Sequence, residues 1–304
     1  MERDFCYAAL QKAPHSRRYA ANIKKGIIKM IELPEAIALS KQLNTVLNNK
    51  IISKVTAAHT KHKFAWYHRD PKGYAKILQN NKINGAQSYG GIIEIKTNRA
   101  TLLFSDGVNL RYFKDNSFTP EKHQLLLEFK DGSVLCASVQ MYGGLICFPG
   151  KEYDNKYYEV AKEKPSPLSK EFDKKYFHTI LSEGKSRNLS LKALLATEQR
   201  IPGLGNGVLQ DILFNAKLHP KQKIDTLSKE QIAGLIKSIK TTLKEMVKGN
   251  GRNTEKNLSG QPGKYITKLS KHTVGQKCGV CGSLIKKSSY LGGSIYYCEG
   301  CQVI

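Results

Sequence analysis

Leu39, Leu43 and Leu47 recur at four-residue spacing within Ala36–Leu47, and Pro34-Glu35 stands just before them. That period predicts an amphipathic helix with its start at the proline. The pattern then shortens. Ile51–Val55, Gly91–Ile95, Thr101–Phe104, Gln124–Phe129 and Val134–Val139 are short apolar runs, and Asp106-Gly107 and Asp131-Gly132 punctuate them as turns. Such runs predict an antiparallel β-sandwich or flattened barrel of roughly a hundred residues or more. Helical spacing returns in Leu191–Gln199 and Val208–Ala216, which flank Ile201-Pro202-Gly203-Leu204-Gly205-Asn206-Gly207, and again in Ser228–Val247. Loop-forming stretches, Lys248–Thr254 and Ser259–Gly263, lead to the C-terminal segment.

A helix, a glycine-rich turn and a second helix suit a grip on a DNA backbone. The turn permits close approach, and the second helix offers free N–H groups to a phosphate. A plain αα-hairpin with a glycine connection has the same pattern.

Charge adds a partner class. The 304 residues carry 49 Lys and Arg against 25 Asp and Glu, a net charge of +24 spread along the chain. This is the footprint of a nucleic-acid binder. No run reaches transmembrane length, and no long basic helix shows a clean apolar face, so a membrane role is not expected.

Four of the seven cysteines form Cys278-Gly-Val-Cys281 and Cys298-Glu-Gly-Cys301, sixteen residues apart. Two CxxC turns at this spacing fit a tetrahedral S₄ site for structural Zn²⁺. Two disulfides, or idle thiols, are the competing readings. Between the pairs, Ser283–Tyr297 predicts a β-hairpin turning at Gly292-Gly293. Cys136 and Cys147 lie in strand-like runs and read as buried thiols of a reducing compartment.

Residues 1–29 are basic and aperiodic, with three readings: a flexible arm on DNA, a transit peptide, or a translated leader. Lys24-Lys25-Gly26 would be encoded by a purine-rich stretch like a bacterial ribosome-binding site. The expected native start is then Met30.

Glu32-Leu-Pro-Glu35, Ile201-Pro-Gly-Leu-Gly-Asn206 with Ile212-Leu-Phe214 and His219-Pro220, and the terminal CxxC-x16-CxxC-Gln302 occur in one order. Together they resemble the formamidopyrimidine-DNA glycosylase / endonuclease VIII family, from Met30 to the end. The resemblance implies an α+β multidomain fold. An N-terminal helix and antiparallel β-sandwich would span 30–165, a helical domain with a helix–two-turns–helix motif 166–263, and a zinc-finger β-hairpin 264–304. It implies a monomeric base-excision repair enzyme of the bacterial cytoplasm and nucleoid. That enzyme binds damaged double-stranded DNA, flips out oxidised bases, excises them and nicks the strand as an AP lyase.

The family's nucleophile is an N-terminal proline amine; Ile31 stands in its place. Glu32 matches the catalytic glutamate and Glu35 the second acid of the motif. Lys122 is the nearest candidate for the family's lysine, and Met141 for its gap-filling methionine. Asn206, beside Gly205, matches the phosphate-binding asparagine. The finger's DNA-gripping arginine position holds Gly293, with Lys286 or Lys287 as point-charge substitutes. Without the amine, Glu32 activating water would give monofunctional excision. A non-catalytic binder of damaged DNA that lost its nucleophile is the alternative; a zinc-dependent RNA-binding protein fits the motif order less well.

Overall fold

The computed structural model describes residues 30–150, 153–184 and 186–304. The readings of residues 1–29 lie outside them. Helix α1 (Leu33–Leu47) starts three residues earlier than the leucine period alone indicates, with Pro34 in its first turn. Proline lacks only an N–H that a first turn leaves unpaired anyway. Leu39, Leu43 and Leu47 are buried as the spacing predicts.

After α1 come β1 (Ile52–Ala57), β2 (Ala65–Trp66), α2 (Tyr74–Leu78), β3 (Ile83–Tyr89), β4 (Ile92–Thr97), β5 (Ala100–Phe113), β6 (Leu125–Phe129) and β7 (Val134–Pro149). They form one seven-stranded sheet in the order β1-β6-β7-β5-β4-β3, with β2 beside β7. Asp131-Gly132 is a turn, with Gly132 at φ 84°. Asp106-Gly107 is not one. The 14-residue β5 and 16-residue β7 stay paired from Ala100↔Pro149 to Phe113↔Val134, with the register broken only between Asp106 and Val108. Asp106 adopts φ 59°, a left-handed conformation that aspartate tolerates. Between the Asp106↔Gly143 and Val108↔Val139 pairs β5 has one residue, Gly107, and β7 has three, 140–142, so two extra residues on β7 make a β-bulge that bends both strands. One half of the sheet is carried by β4 and β3, the other by β6 and β1. Side chains of both halves, Ile93, Phe104 and Leu145 against Leu110, Leu127 and Leu135, share one core. The expected sandwich is therefore a single sheet folded over at a bulge.

The continuous apolar run at Thr101–Phe104 has a separate cause. Helix α3 (Lys156–Glu163) covers the outer face of that half, where Ile92, Leu103 and Phe148 meet Tyr158 and Ala161. A strand buried on both faces has no polar alternation to show.

Helices α4 (Lys174–Ser182), α5 (Leu191–Ala196), α6 (Val208–Asn215) and α7 (Lys229–Lys248) enclose a second core. Helix α5 ends before the predicted Gln199, because Glu198 and Gln199 take positive φ. Helix α7 starts at a capping box made by Ser228 and Gln231, which satisfies two backbone donors reciprocally. Leu33, on α1, lies in this second core, while Ala36, Leu39 and Leu43 of the same helix lie in the first. Burying one leucine contributes about 1.5–3 kcal/mol, so Leu33 pins the two halves together.

The loop at 249–263 continues from α7, with Gly249 and Gly251 N–H donating back to its last turn, and reaches across to the sandwich. Leu258 belongs to the first core and its carbonyl accepts from Tyr112 N. Last comes the hairpin β8 (Ile285–Tyr290) and β9 (Gly293–Cys298). Its turn is Leu291-Gly292, both at positive φ, one residue before the predicted Gly292-Gly293. Two left-handed residues give the turn whose twist matches the strands; Gly293 pairs with Tyr290 as the first residue of β9.

Candidate functional site

Glu32 precedes α1 in an extended conformation but does not cap its own helix. Its carboxylate crosses to the glycine turn and accepts from Gly207 N (Oε1, 2.8 Å) and Val208 N (Oε2, 2.7 Å), at the start of α6. Those N–H groups have no partner within the helix, and the helix dipole favours an anion there. Gly205 and Gly207 make the approach possible. A Cβ at 205 would lie 2.5 Å from Glu32 Oε1, and one at 207 would lie 1.7 Å from Arg252 Nη1.

Arg252 completes the cluster. It faces Glu32 Oε2 at 3.4 Å and forks onto Glu35 through Nε (3.0 Å) and Nη2 (2.8 Å). Its main-chain N–H also donates to Glu35 Oε1 at 3.0 Å. All three side chains are buried. Burial raises the Glu32 pKa above the ordinary carboxylate range; the Arg252 charge and the two N–H bonds oppose that rise without cancelling it. The paired carboxylates hold the Arg252 pKa above its usual value despite burial. The Glu32 carboxylate accepts one hydrogen bond on each oxygen, and Arg252 lies on the Oε2 side, so a lone-pair position on Oε1 remains for an incoming proton or hydroxyl. A carboxyl group with a raised pKa and a free oxygen position suits general acid–base chemistry.

Ile31 N–H donates to the Asp106 carbonyl at 2.7 Å, and the Ile31 side chain is in the sandwich core. The β-bulge therefore sits directly behind the residue before Glu32. The Asp106 carboxyl is pushed up by burial, with Ser105 Oγ donating to it. Met141 is half-buried in the stretch of β7 that faces Gly107 across the bulge, close to this corner. Lys122 is exposed in the loop entering β6, beside His123, whose main chain pairs with Thr60; it has no hydrogen bond to the Glu32 cluster.

Asn206 donates through Nδ2 to the Ser294 carbonyl at 2.8 Å, and Gln210 takes Tyr296 N–H while donating to the Asn206 carbonyl. These bonds lock the hairpin onto α6. Gln302 adds another, between Cys298 N and the Leu218 carbonyl. Lys286 and Lys287 are exposed on β8, Lys286 lying 3.8 Å from Glu299.

The sulfur atoms of Cys278, Cys281, Cys298 and Cys301 all lie within 4.8 Å of one another. The Cys278–Cys301 and Cys281–Cys298 separations are 3.8 and 3.3 Å. Disulfide bonding needs about 2.05 Å, whereas metal–sulfur bonds of about 2.3 Å in a tetrahedron place sulfurs about 3.8 Å apart. The group has the composition and spacing to hold a metal ion. Cys136 and Cys147 are buried free thiols.

The glutamates, the glycine turn and the cysteines were visible as motifs. Arg252, Asp106 and the buried Lys192 were not. The only local sign of Arg252 is its place in Gly249-Asn-Gly-Arg252, a loop too short of apolar residues to be core.

Residues 164–257 match the sequence model described as the formamidopyrimidine-DNA glycosylase H2TH domain. The chain is 29% identical over 299 residues to the formamidopyrimidine-DNA glycosylase of Prochlorococcus marinus, covering 90% of this chain and all of the relative. The Bacillus licheniformis protein of the same name is 28% identical over 280 residues, covering 90% and 99%. Among solved structures, a complex of Lactococcus lactis Fpg with DNA containing an abasic site aligns with a TM-score of 0.76 at 23% identity, over 90% of this chain and all of that one. A complex of the same protein with DNA containing Fapy-dG gives 0.76 at 22%, with the same coverage.

Proposed function

This chain belongs to the formamidopyrimidine-DNA glycosylase family, and from its site we propose that it binds damaged double-stranded DNA and excises oxidised bases. The observation that carries the reading is the buried Glu32 carboxyl, held by the first N–H groups of α6 and by Arg252. Its raised pKa makes the carboxylate a stronger base toward a water than an exposed glutamate would be.

Glu32 is the acid–base group of the reaction. Ile31, at the position of the family's amine nucleophile, has its main-chain N–H bound to Asp106 and its side chain in the core. Attack at C1′ is therefore by water, which Glu32 activates. Base release follows, and strand nicking requires an amine. Lys122 is the side-chain candidate for that amine, exposed in the loop entering β6. Met141, at the bulge, fills the gap left by the flipped nucleotide. Asn206 and Gly205 approach the DNA backbone, and Glu35 holds Arg252 in place. The four cysteines bind Zn²⁺, which supplies no chemistry to the reaction but fixes the hairpin against α6. No helix among the described residues is long and apolar enough to cross a membrane. The net charge of +24 suits a monomer acting on DNA in the bacterial cytoplasm.

The test is single-turnover base release from duplexes carrying an oxidised base, with borohydride added in parallel. Wild-type protein should release base, and Glu32→Gln should lose at least about 100-fold in rate, the scale of general acid–base catalysis. A trapped adduct on Lys122 would replace water by that lysine. Full activity in Glu32→Gln, or no release from any lesion, would overturn the reading.

A further inference from the structure

Lys192, on α5, is 4% exposed. Its ammonium has three N–H groups to place. Among the described residues it makes one hydrogen bond, to the Tyr290 carbonyl at the end of β8, and no carboxylate lies within ion-pair distance. A buried cation without a counter-ion is costly to keep. Burial alone lowers its pKa, to about 8. Nothing among the described residues accounts for this charge.

The neighbouring hairpin shows what does. A Cβ built on Gly293 would lie 3.3 Å from Lys192 Nζ and 3.7 Å from Asn206 Nδ2. The missing side chain thus opens the hairpin directly onto two nitrogen donors. Asn206 uses one Nδ2 proton on Ser294, leaving the second free, and its Oδ1 is buried without a partner. Lys221 lies 5.6 Å from the Tyr290 ring centroid and adds positive potential nearby. Lys286 and Lys287 pair with Tyr297 and Tyr296. They sit three to four residues along the ladder from Gly293, roughly 10–14 Å away at 3.4 Å per residue.

Resting on the function proposed above, we propose that Lys192 and Asn206 clamp one phosphate of the DNA backbone. Lys192, not Lys286 or Lys287, supplies the cation that the finger lacks at Gly293. The charge comes from the helical domain and reaches the finger's surface because glycine leaves the way open. The ammonium acts as a point charge, while the Asn206 amide gives the clamp its direction.

The test uses full-length, metal-loaded protein and a duplex with a tetrahydrofuran abasic-site analogue. Kd is measured across a salt series, then at fixed salt with single methylphosphonates, each neutralising one phosphate. Lys192→Met should weaken binding about tenfold and lower the slope of log K against log salt by about one. One methylphosphonate position should weaken wild type but leave Lys192→Met unaffected. Lys192→Met/Gly293→Arg should recover the slope, and Lys286→Met/Lys287→Met should retain the penalty at that position. If Lys192→Met does not fold, Gly293→Asp takes its place: a carboxylate over Nζ should abolish the same single-phosphate penalty. A folded Lys192→Met, or Gly293→Asp, that keeps every methylphosphonate penalty of wild type overturns the clamp. Failure of wild type to bind any damaged duplex overturns the clamp together with the function it rests on.

Discussion

Arg252→Met tests the arrangement that holds the site together. Methionine keeps much of the length and apolar volume of arginine but no donor. The variant loses the two side-chain bonds to Glu35, at 3.0 and 2.8 Å, and the 3.4 Å ion pair with Glu32. The Arg252 main-chain bond to Glu35 survives. Arg252 is 3% exposed and the two glutamates 5% each, so water does not replace what is lost. Breaking a buried ion pair by removing one partner costs about 3–5 kcal/mol, and here two carboxylates lose their shared cation. Urea unfolding at pH 8 should show a deficit in that range. The deficit should depend on pH. Glu32 already has a raised pKa, and Arg252 is the largest influence lowering it; without Arg252 it rises further. A carboxyl raised in the folded state contributes stability that is full below its unfolded pKa and is lost as pH rises through the folded value. The variant should therefore approach wild type near pH 5 and fall furthest behind at pH 8. Arg252→Met/Glu35→Gln should recover part of the deficit, since one buried charge is gone. A deficit below about 1 kcal/mol, or one equal at both pH values, would refute the reasoning by showing that the carboxylates are solvated.

Gly205→Ala places a methyl 2.5 Å from Glu32 Oε1, so single-turnover base release should fall at least tenfold while stability drops by about 1–3 kcal/mol, the scale of overpacking. Unchanged release would mean the carboxyl moves aside without consequence. Cys298→Ser should lose bound metal by elemental analysis and deprotect amide hydrogens of 264–304, leaving both larger cores protected. Retained metal at full stoichiometry would contradict the four-sulfur site. The hairpin's own apolar contacts, Ile285, Phe214 and Leu269 with Cys278 and Cys298, are too few to hold it alone.

Local pattern and short spacing determined much of this protein. The leucine period wrote α1, the CxxC pairs wrote the four-cysteine cluster, and the glycine turn wrote the junction before α6. Each signal lies within one element or one loop, where side-chain periodicity and turn geometry act directly. Glu32, Asn206 and the cysteines became candidates through motifs of this kind. The failures have a common origin. Asp106-Gly107 has the composition of a turn, yet β7 pairs with β5 on both sides of it and turns it into a bulge. The helix predicted to Gln199 stops at Ala196, where the chain turns through left-handed residues.

Only the tertiary structure decided which charges meet. Arg252 lies 217 residues from Glu35 along the chain, and Val208 176 from Glu32. Lys192 reaches a carbonyl 98 residues away. No sequence window contains such pairs, and one arginine among 49 basic residues carries no mark of burial. Their ionisation, and hence the chemistry of the site, depends on solvent being excluded from all partners at once. That exclusion arises when α1 packs with Leu33 in one core and Leu39 in the other.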